Sequence, residues 1–288
     1  MSNIASSTPY FGVDIDLHNV AVDIRVNDIP VYFDEKKGQL TVEVPAPDSI
    51  IDGKNTLSLS TGFPYDGANM ASSYEEGAYA SAILFRQNGD SAKESLASVT
   101  VKFSSDGIEV VETENYKDNK KSTPDVIISD GGVALITESV EIKSPFPRWA
   151  WQDGKLIENN QSNYDSLLET YQDIHSTMVA KDNEKLFSMY SQRAKEIAAA
   201  YSLADENEGH EKVSTGKDMF NDKLSLYQFR TDYKDIRLDV YADGKMARIL
   251  VDMRRNQPIL FTEPKARLYH FHKFGFYLNK DNQWVMIR

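Results

Sequence analysis

From about Tyr10 to Ile142 the apolar residues recur at every second position. Val20, Val22, Ile24 and Val26 alternate with Ala21, Asp23, Arg25 and Asn27, the pattern of a half-buried strand with its acids outward. Val31 and Phe33 continue the run, Lys36-Lys37-Gly38 turns the chain, and Leu40, Val42 and Val44 return it. Further strand-like runs are Thr56–Ser60, Tyr79–Arg86, Val99–Phe103, Ile108–Glu112, Val126–Ile128 and Leu135–Ile142. Turn residues separate them at Pro45/Pro47, Asp52-Gly53, Asn88-Gly89, Asp106-Gly107 and Asp130-Gly131-Gly132. Many short strands with no helix between them predict an antiparallel β-sandwich over residues 10–143.

Residues 144–161 have the character of a linker. Pro145 and Pro147 stiffen it, Phe146, Trp149 and Trp151 are large, and the polar run Glu158-Asn159-Asn160-Gln161 follows. At Ser162 the period changes. Ser162 with Asp165 three residues later is a helix-start signature, and Tyr164, Leu167, Leu168, Tyr171, Ile174 and Met178 form a helical stripe. Asp182 restarts a second helix with the stripe Leu186, Tyr190, Ala194, Ile197 and Tyr201. The polar segment Asp205–Lys217 is expected to be a loop. Strand period then returns: Ile236, Leu238 and Val240 lead into the turn Ala242-Asp243-Gly244, and Met246, Arg248 and Leu250 come back. Ile259–Thr262, Arg267–Leu278 and Trp284–Ile287 are expected to complete one curved antiparallel sheet, giving a second domain over residues 162–288. The fold class expected is therefore α+β in two domains.

The order of elements in this second half resembles the NTF2-like, or SnoaL-like, cone, in which N-terminal helices fill the concave face of a bent sheet. Such cones usually interleave another helix among their strands, and only Asp218–Tyr227 could supply it here. A cystatin-like arrangement of helices on a curved sheet stays open beside it.

Charge changes the picture most. Residues 1–150 hold 23 acidic against 12 basic residues, a balance of −11, whereas the other 138 hold 21 against 20, a balance of −1. A field so divided steers a cationic partner and repels nucleic acid and anionic membrane. Met253-Arg254-Arg255 is too small a basic cluster to argue otherwise. No run of about 18 apolar residues predicts a membrane span. The opening Met1–Pro9 lacks the basic and apolar stretches of a secretory signal. A cytoplasmic location is the default expectation, and a periplasmic one follows if a signal has been removed. The absence of cysteine removes disulfides, thiolate chemistry and cysteine-ligated zinc.

Candidate chemistry is sparse, with no nucleophile elbow, phosphate loop or nucleotide fingerprint. His270 and His272 would share one strand face and could hold a cation, with Glu263 or Asp281 as a third ligand. That third ligand has no support from spacing, so no metal and no cofactor is expected. The resemblance to NTF2-like enzymes implies an Asp, His or Tyr inside the cone as a proton-transfer group. His175, Asp239, Tyr241 and His270 are residues of those types, though none matches a family motif. Asp14 and Asp16 share a strand face, with Asp23 and Asp28 near in sequence, and the Gly turn and distal acid of a calcium loop are missing. They are read as an acidic docking surface. Tyr74, Glu75 and Glu76 sit in a Ser/Gly/Tyr-rich loop suited to protein recognition. Trp149 and Trp151 fall on one side of an extended segment, either as partner anchors or as filling between the halves.

These features predict a non-catalytic protein-binding module. The general character, an acidic sandwich followed by a compact α+β tail, resembles bacterial immunity proteins, including those paired with secretion-system toxins. That resemblance implies a basic toxin or effector neutralised by covering its active site, and it carries over no site residues. The contact residues expected, from the residues themselves, are Asp14, Asp16, Asp23, Asp28, Tyr74, Glu75, Glu76, Trp149 and Trp151. The alternatives are a small-molecule isomerase or hydrolase in the cone, or a carbohydrate-binding protein.

Overall fold

The structure is a computed structural model that describes residues 8–104, 107–115, 120–121, 124–129, 133–232, 234–252, 254–263, 265–266 and 268–288. The chain divides into two compact units, Met1–Pro147 and Arg148–Arg288. Among the described residues it is mixed α+β, with mostly antiparallel sheets and three α-helices.

The first unit is built of β1 (Tyr10–His18), β2 (Ala21–Val26), β3 (Ile29–Asp34), β4 (Gln39–Pro45), β5 (Gly53–Gly62), β6 (Tyr65–Asp66), β7 (Asn69–Met70), β8 (Tyr79–Gln87), β9 (Glu94–Ser104), β10 (Gly107–Asn115), β11 (Lys120–Lys121), β12 (Asp125–Ile128) and β13 (Ala134–Ile142). Six strands form a sheet in the order β11-β10-β9-β8-β1-β4, and five form a second in the order β12-β13-β5-β2-β3. The two meet through β9 against β5 and β13, the two-layer packing that alternation predicts. Phe11, Val13, Ile15 and Leu17 of β1 are buried, as are Leu57, Leu59, Ile136 and Val140 of the second layer. The expected continuation from Val26 to Val31 is broken. Asn27 and Asp28 both adopt left-handed backbone, φ 53° and 59°, and close the β2–β3 hairpin.

Asn27 also reaches inward. Its Nδ2 donates to Ser49 O at 2.8 Å and to Asn55 Oδ1 at 2.7 Å, and its Oδ1 accepts from Thr56 N at 2.9 Å. Asn55, 0% exposed, accepts from Ile51 N and donates to Ile51 O and Gly53 O. Two buried amides thus satisfy the backbone of a turn that no ladder reaches.

The second unit contains α1 (Gln161–Ala180), α2 (Asn183–Ala200), α3 (Glu206–Lys212), β14 (Ser225–Phe229), β15 (Arg237–Tyr241), β16 (Met246–Leu250), β17 (Ile259–Glu263), β18 (Leu268–Phe271), β19 (Phe276–Leu278) and β20 (Trp284–Met286). The stripes expected on α1 and α2 are buried at Leu167, Tyr171, Ile174, Met178, Leu186, Tyr190 and Ala194, against Leu238, Ile249, Phe261 and Phe276. The cap of α1 is Asn160, accepting from Asn163 N at 2.9 Å, and not Ser162. Asp182 caps α2 as read from the sequence. Tyr171 donates its buried hydroxyl to Gln257 Oε1 at 2.6 Å, and Gln257 holds both the N–H and the carbonyl of Phe274.

Four expectations for this half are corrected. The strands form two sheets, β14-β17-β18 and β15-β16-β19-β20, and not one. The run Arg267–Leu278 breaks between β18 and β19. Asp218–Tyr227 is no helix: a short 3₁₀ turn, Lys217–Phe220, leads into β14. The polar Asp205–Lys217 segment contains α3, capped by Asp205. Gly209 makes this packing feasible, since a Cβ there would lie 2.1 Å from Ala194 O on α2. The segment 144–161 also differs from a free linker. From Arg148 onward it belongs to the second unit, where Ile157 is part of the core.

Two stability outcomes follow. Asn55→Ala removes partners from several buried backbone groups and is expected to cost about 3 kcal/mol in urea unfolding. A loss below about 0.5 kcal/mol would mean the clamp is not formed. Second, burial lowers the pKa of His210, which is 5% exposed, stacked on Phe187 and bonded to Thr215 Oγ1 at 3.1 Å, with Glu206 opposing the shift. Burial lowers the pKa of His175 likewise. The unfolded chain then binds these protons more readily, so their contribution is complete above about pH 6.5 and is lost as pH falls below it. The urea midpoint is expected to drop between about pH 7.5 and pH 5.5, and His210→Gln to flatten the drop. A midpoint that rises toward acid would contradict this.

Candidate functional site

Burial of alternate residues in β1 turns Asp14, Asp16 and His18 to the outer face of the six-stranded sheet. Glu43 of β4 lies directly opposite Asp14, and Thr41 opposite Asp16. On the other side Ile83 and Ser81 of β8 take the same positions. A shallow concavity of about 450 Å³ lies over Asp14, Asp16, Glu43 and Ser81.

The carboxylates here are partnered. Lys93 Nζ donates to Asp14 at 2.6 Å and pairs with Glu43 at 2.8 Å, and it sits 4.2 Å above the Phe85 ring. The Lys93 ammonium holds Glu43 below the usual carboxylate range. Asp16 accepts from Thr41 Oγ1 and from Tyr79 OH, both at 3.0 Å. The face continues past His18, which stacks on Tyr79, to Asn19, whose Nδ2 donates to Glu75 at 2.7 Å. Glu75 also accepts from Lys37 Nζ at 2.5 Å, and this bond lowers its pKa. Beyond Tyr79, Glu76, Lys102 and Glu109 border a further concavity of about 290 Å³. The topology therefore brings Asp14, Asp16, Glu75 and Glu76 together, residues far apart in sequence. It adds Glu43 and Glu109, which carried no signal beyond strand alternation.

The other expected contact residues separate from this face. Asp23 and Asp28 belong to the opposite sheet, at the β2–β3 hairpin. Both bind Arg25 at 2.8 Å, and Asp23 is only 8% exposed, so neither is a free solvated acid. Burial works against the Arg25 charge, and the two carboxylates together outweigh it. Tyr74 stacks on Phe103 at 3.9 Å and turns its hydroxyl inward to Thr61, which makes it an anchor of its loop. Trp149 and Trp151 are 1% and 5% exposed, so neither indole offers a face to a partner or a sugar. Their short turn, Ala150–Asp153, packs on β19, and Ala150 N donates to Glu196 Oε1 at 2.8 Å.

Among the described residues the proton-transfer candidates are held by the following partners. Asp239 is tied to Arg248 at 2.7 Å, and Arg248 lies over the buried Tyr241 ring. His175 rests on Phe229. His270 and His272 turn to different acids: His270 lies 3.9 Å from Glu263 and His272 3.3 Å from Asp218. The bond from His272 holds Asp218 below its ordinary pKa. His272 lies just beyond the end of β18, where its backbone N donates to Ile259 O at 3.1 Å. Among the described residues no group of three His, Cys, Asp or Glu could hold a metal ion.

Lys93→Met is expected to raise the pKa of Glu43, measured by NMR titration of side-chain carboxyls, because it removes the bond that lowers it and leaves Asp14 facing Glu43. An unmoved Glu43 would contradict the bridging geometry. No family model matches this chain, and no match is found among curated proteins or solved structures.

Proposed function

We propose that this chain is a non-catalytic binding protein that captures a basic protein partner on the outer face of its six-stranded sheet. The observation that carries the reading is the gathering of Asp14, Asp16, Glu43, Glu75, Glu76 and Glu109 onto that face. Charge supports it further. Counted at the observed boundary, residues 1–147 hold 23 acids against 11 bases, a balance of −12, and residues 148–288 hold 21 of each. The whole negative excess thus belongs to the unit that bears the face, and its field lies within reach of an approaching cation over about a Debye length.

Under this reading the chain acts as bacterial immunity proteins do, covering the basic active-site cleft of a toxin or secretion-system effector in the cytoplasm. The first unit serves as an antiparallel β-sandwich. The second is an NTF2-like module, a reading supported by α1 and α2 packing on antiparallel strands around Tyr171. Among the described residues no helix is long and apolar enough to cross a membrane.

The test is stoichiometric capture of the partner from the native source, followed by affinity across salt. Asp16→Lys, Glu75→Lys and Glu76→Lys combined are expected to weaken binding at least about tenfold, mostly through the association rate. Binding by the unmodified chain is expected to fall steeply from about 0.05 to about 0.5 M salt. Recovery of no stoichiometric partner, or equal binding by both chains, would overturn the reading.

A further inference from the structure

The second unit carries a cleft of about 630 Å³ between α1, α2 and β20 that the docking face does not use. Its size lies within the range of small-ligand sites. Glu169 and Asp173, four residues apart, stand on the α1 wall, and Ile174, Met189 and Phe276 form apolar lining. Trp284 borders the cleft and is oriented by its Nε1, which donates to Ser166 Oγ at 2.9 Å.

The charge of this lining is one-sided. Among the described residues no lysine or arginine lines the cleft. Asp173 is paired with Lys185 from the first turn of α2, at 2.5 Å. Glu169 is exposed and has no ion-pair or hydrogen-bond partner among the described residues. An anion entering here would meet Glu169 without a paired cation, since Lys185 is already held by Asp173. A neutral ligand would leave Glu169 unmatched. A cation with an apolar body satisfies both surfaces, its charge at Glu169 and the indole, its body on Ile174, Met189 and Phe276.

We infer that this cleft binds an ammonium group on an apolar stem. The group belongs either to a small amine or to a lysine side chain presented by a peptide. The inference does not rest on the docking face, which lies in the other unit.

Calorimetry on the full chain tests it with three probes that share a phenethyl stem, 2-phenylethylamine, 2-phenylethanol and 3-phenylpropionate, and with a short acetylated peptide containing one lysine. The amine is expected to bind at least about fivefold more tightly than the alcohol, and the carboxylate not to saturate. Glu169→Gln, an exposed helix position, is expected to remove that about fivefold preference while leaving the alcohol unaffected. Tighter binding of the peptide assigns the cleft to a protein side chain, and tighter binding of the free amine to a small molecule. Equal binding of the three probes, no saturable binding of the amine or the peptide, or a preference that survives Glu169→Gln would overturn the inference. Amine binding that persists while no protein partner is captured would separate this site from the docking face.

Discussion

The register of β1 is the constraint on which the rest depends. Phe11, Val13, Ile15 and Leu17 are all buried, and each such side chain contributes about 1.5–3 kcal/mol by leaving water. Because side chains alternate, those burials force Asp14 and Asp16 outward. A slip of one residue would place two carboxylates in the core and four apolar groups in water. Such an arrangement is excluded by desolvation alone. The pairing of β1 with β4 and β8 then decides which residues stand beside the acids. An acidic face of this composition is a by-product of core packing, made available for binding.

Lysines on this face do not cancel its field. Lys93 bridges Asp14 and Glu43, and Lys37 pairs with Glu75, so two cations meet three carboxylates at contact range. Exposed pairs of this kind contribute about 0–1 kcal/mol each, and a partner's arginine can take over their carboxylates at small cost. At greater distance an incoming molecule senses the net charge of the unit, which remains −12 against zero for the other unit. Under the proposed reading, lysine clamps order the acids before binding and the excess charge supplies the attraction. The second unit, electrically balanced, carries Glu169 and Asp173 in a cleft.

What was legible in the sequence followed from periodicity. Alternation gave the strands of the first unit, the helical stripes gave α1 and α2, and counting gave the charge division. What was hidden depended on contacts between distant residues. Lys93 reaches Asp14 across 79 positions, and Tyr171 reaches Gln257 across 86. Asn27-Asp28 looked like two more strand positions, although two short polar residues tolerant of left-handed backbone are a turn signal. Helix α3 was missed because its sequence is polar, and its place depends on Gly209 lying against the α2 backbone. The two tryptophans are open in sequence to two readings, partner anchor or buried filling, and only their packing separates these: their turn lies on β19 and both indoles are buried.

Carboxyl footprinting tests the central claim most directly. Free and partner-bound chain would be labelled with a carbodiimide and an amine, and each acid quantified by mass spectrometry. The expected result is loss of labelling at Asp16, Glu43, Glu75 and Glu76 in the complex, with Asp28 on the opposite sheet unchanged. Protection confined to Asp28 or to acids of the second unit, with the β1–β4–β8 face labelled as before, would contradict the account.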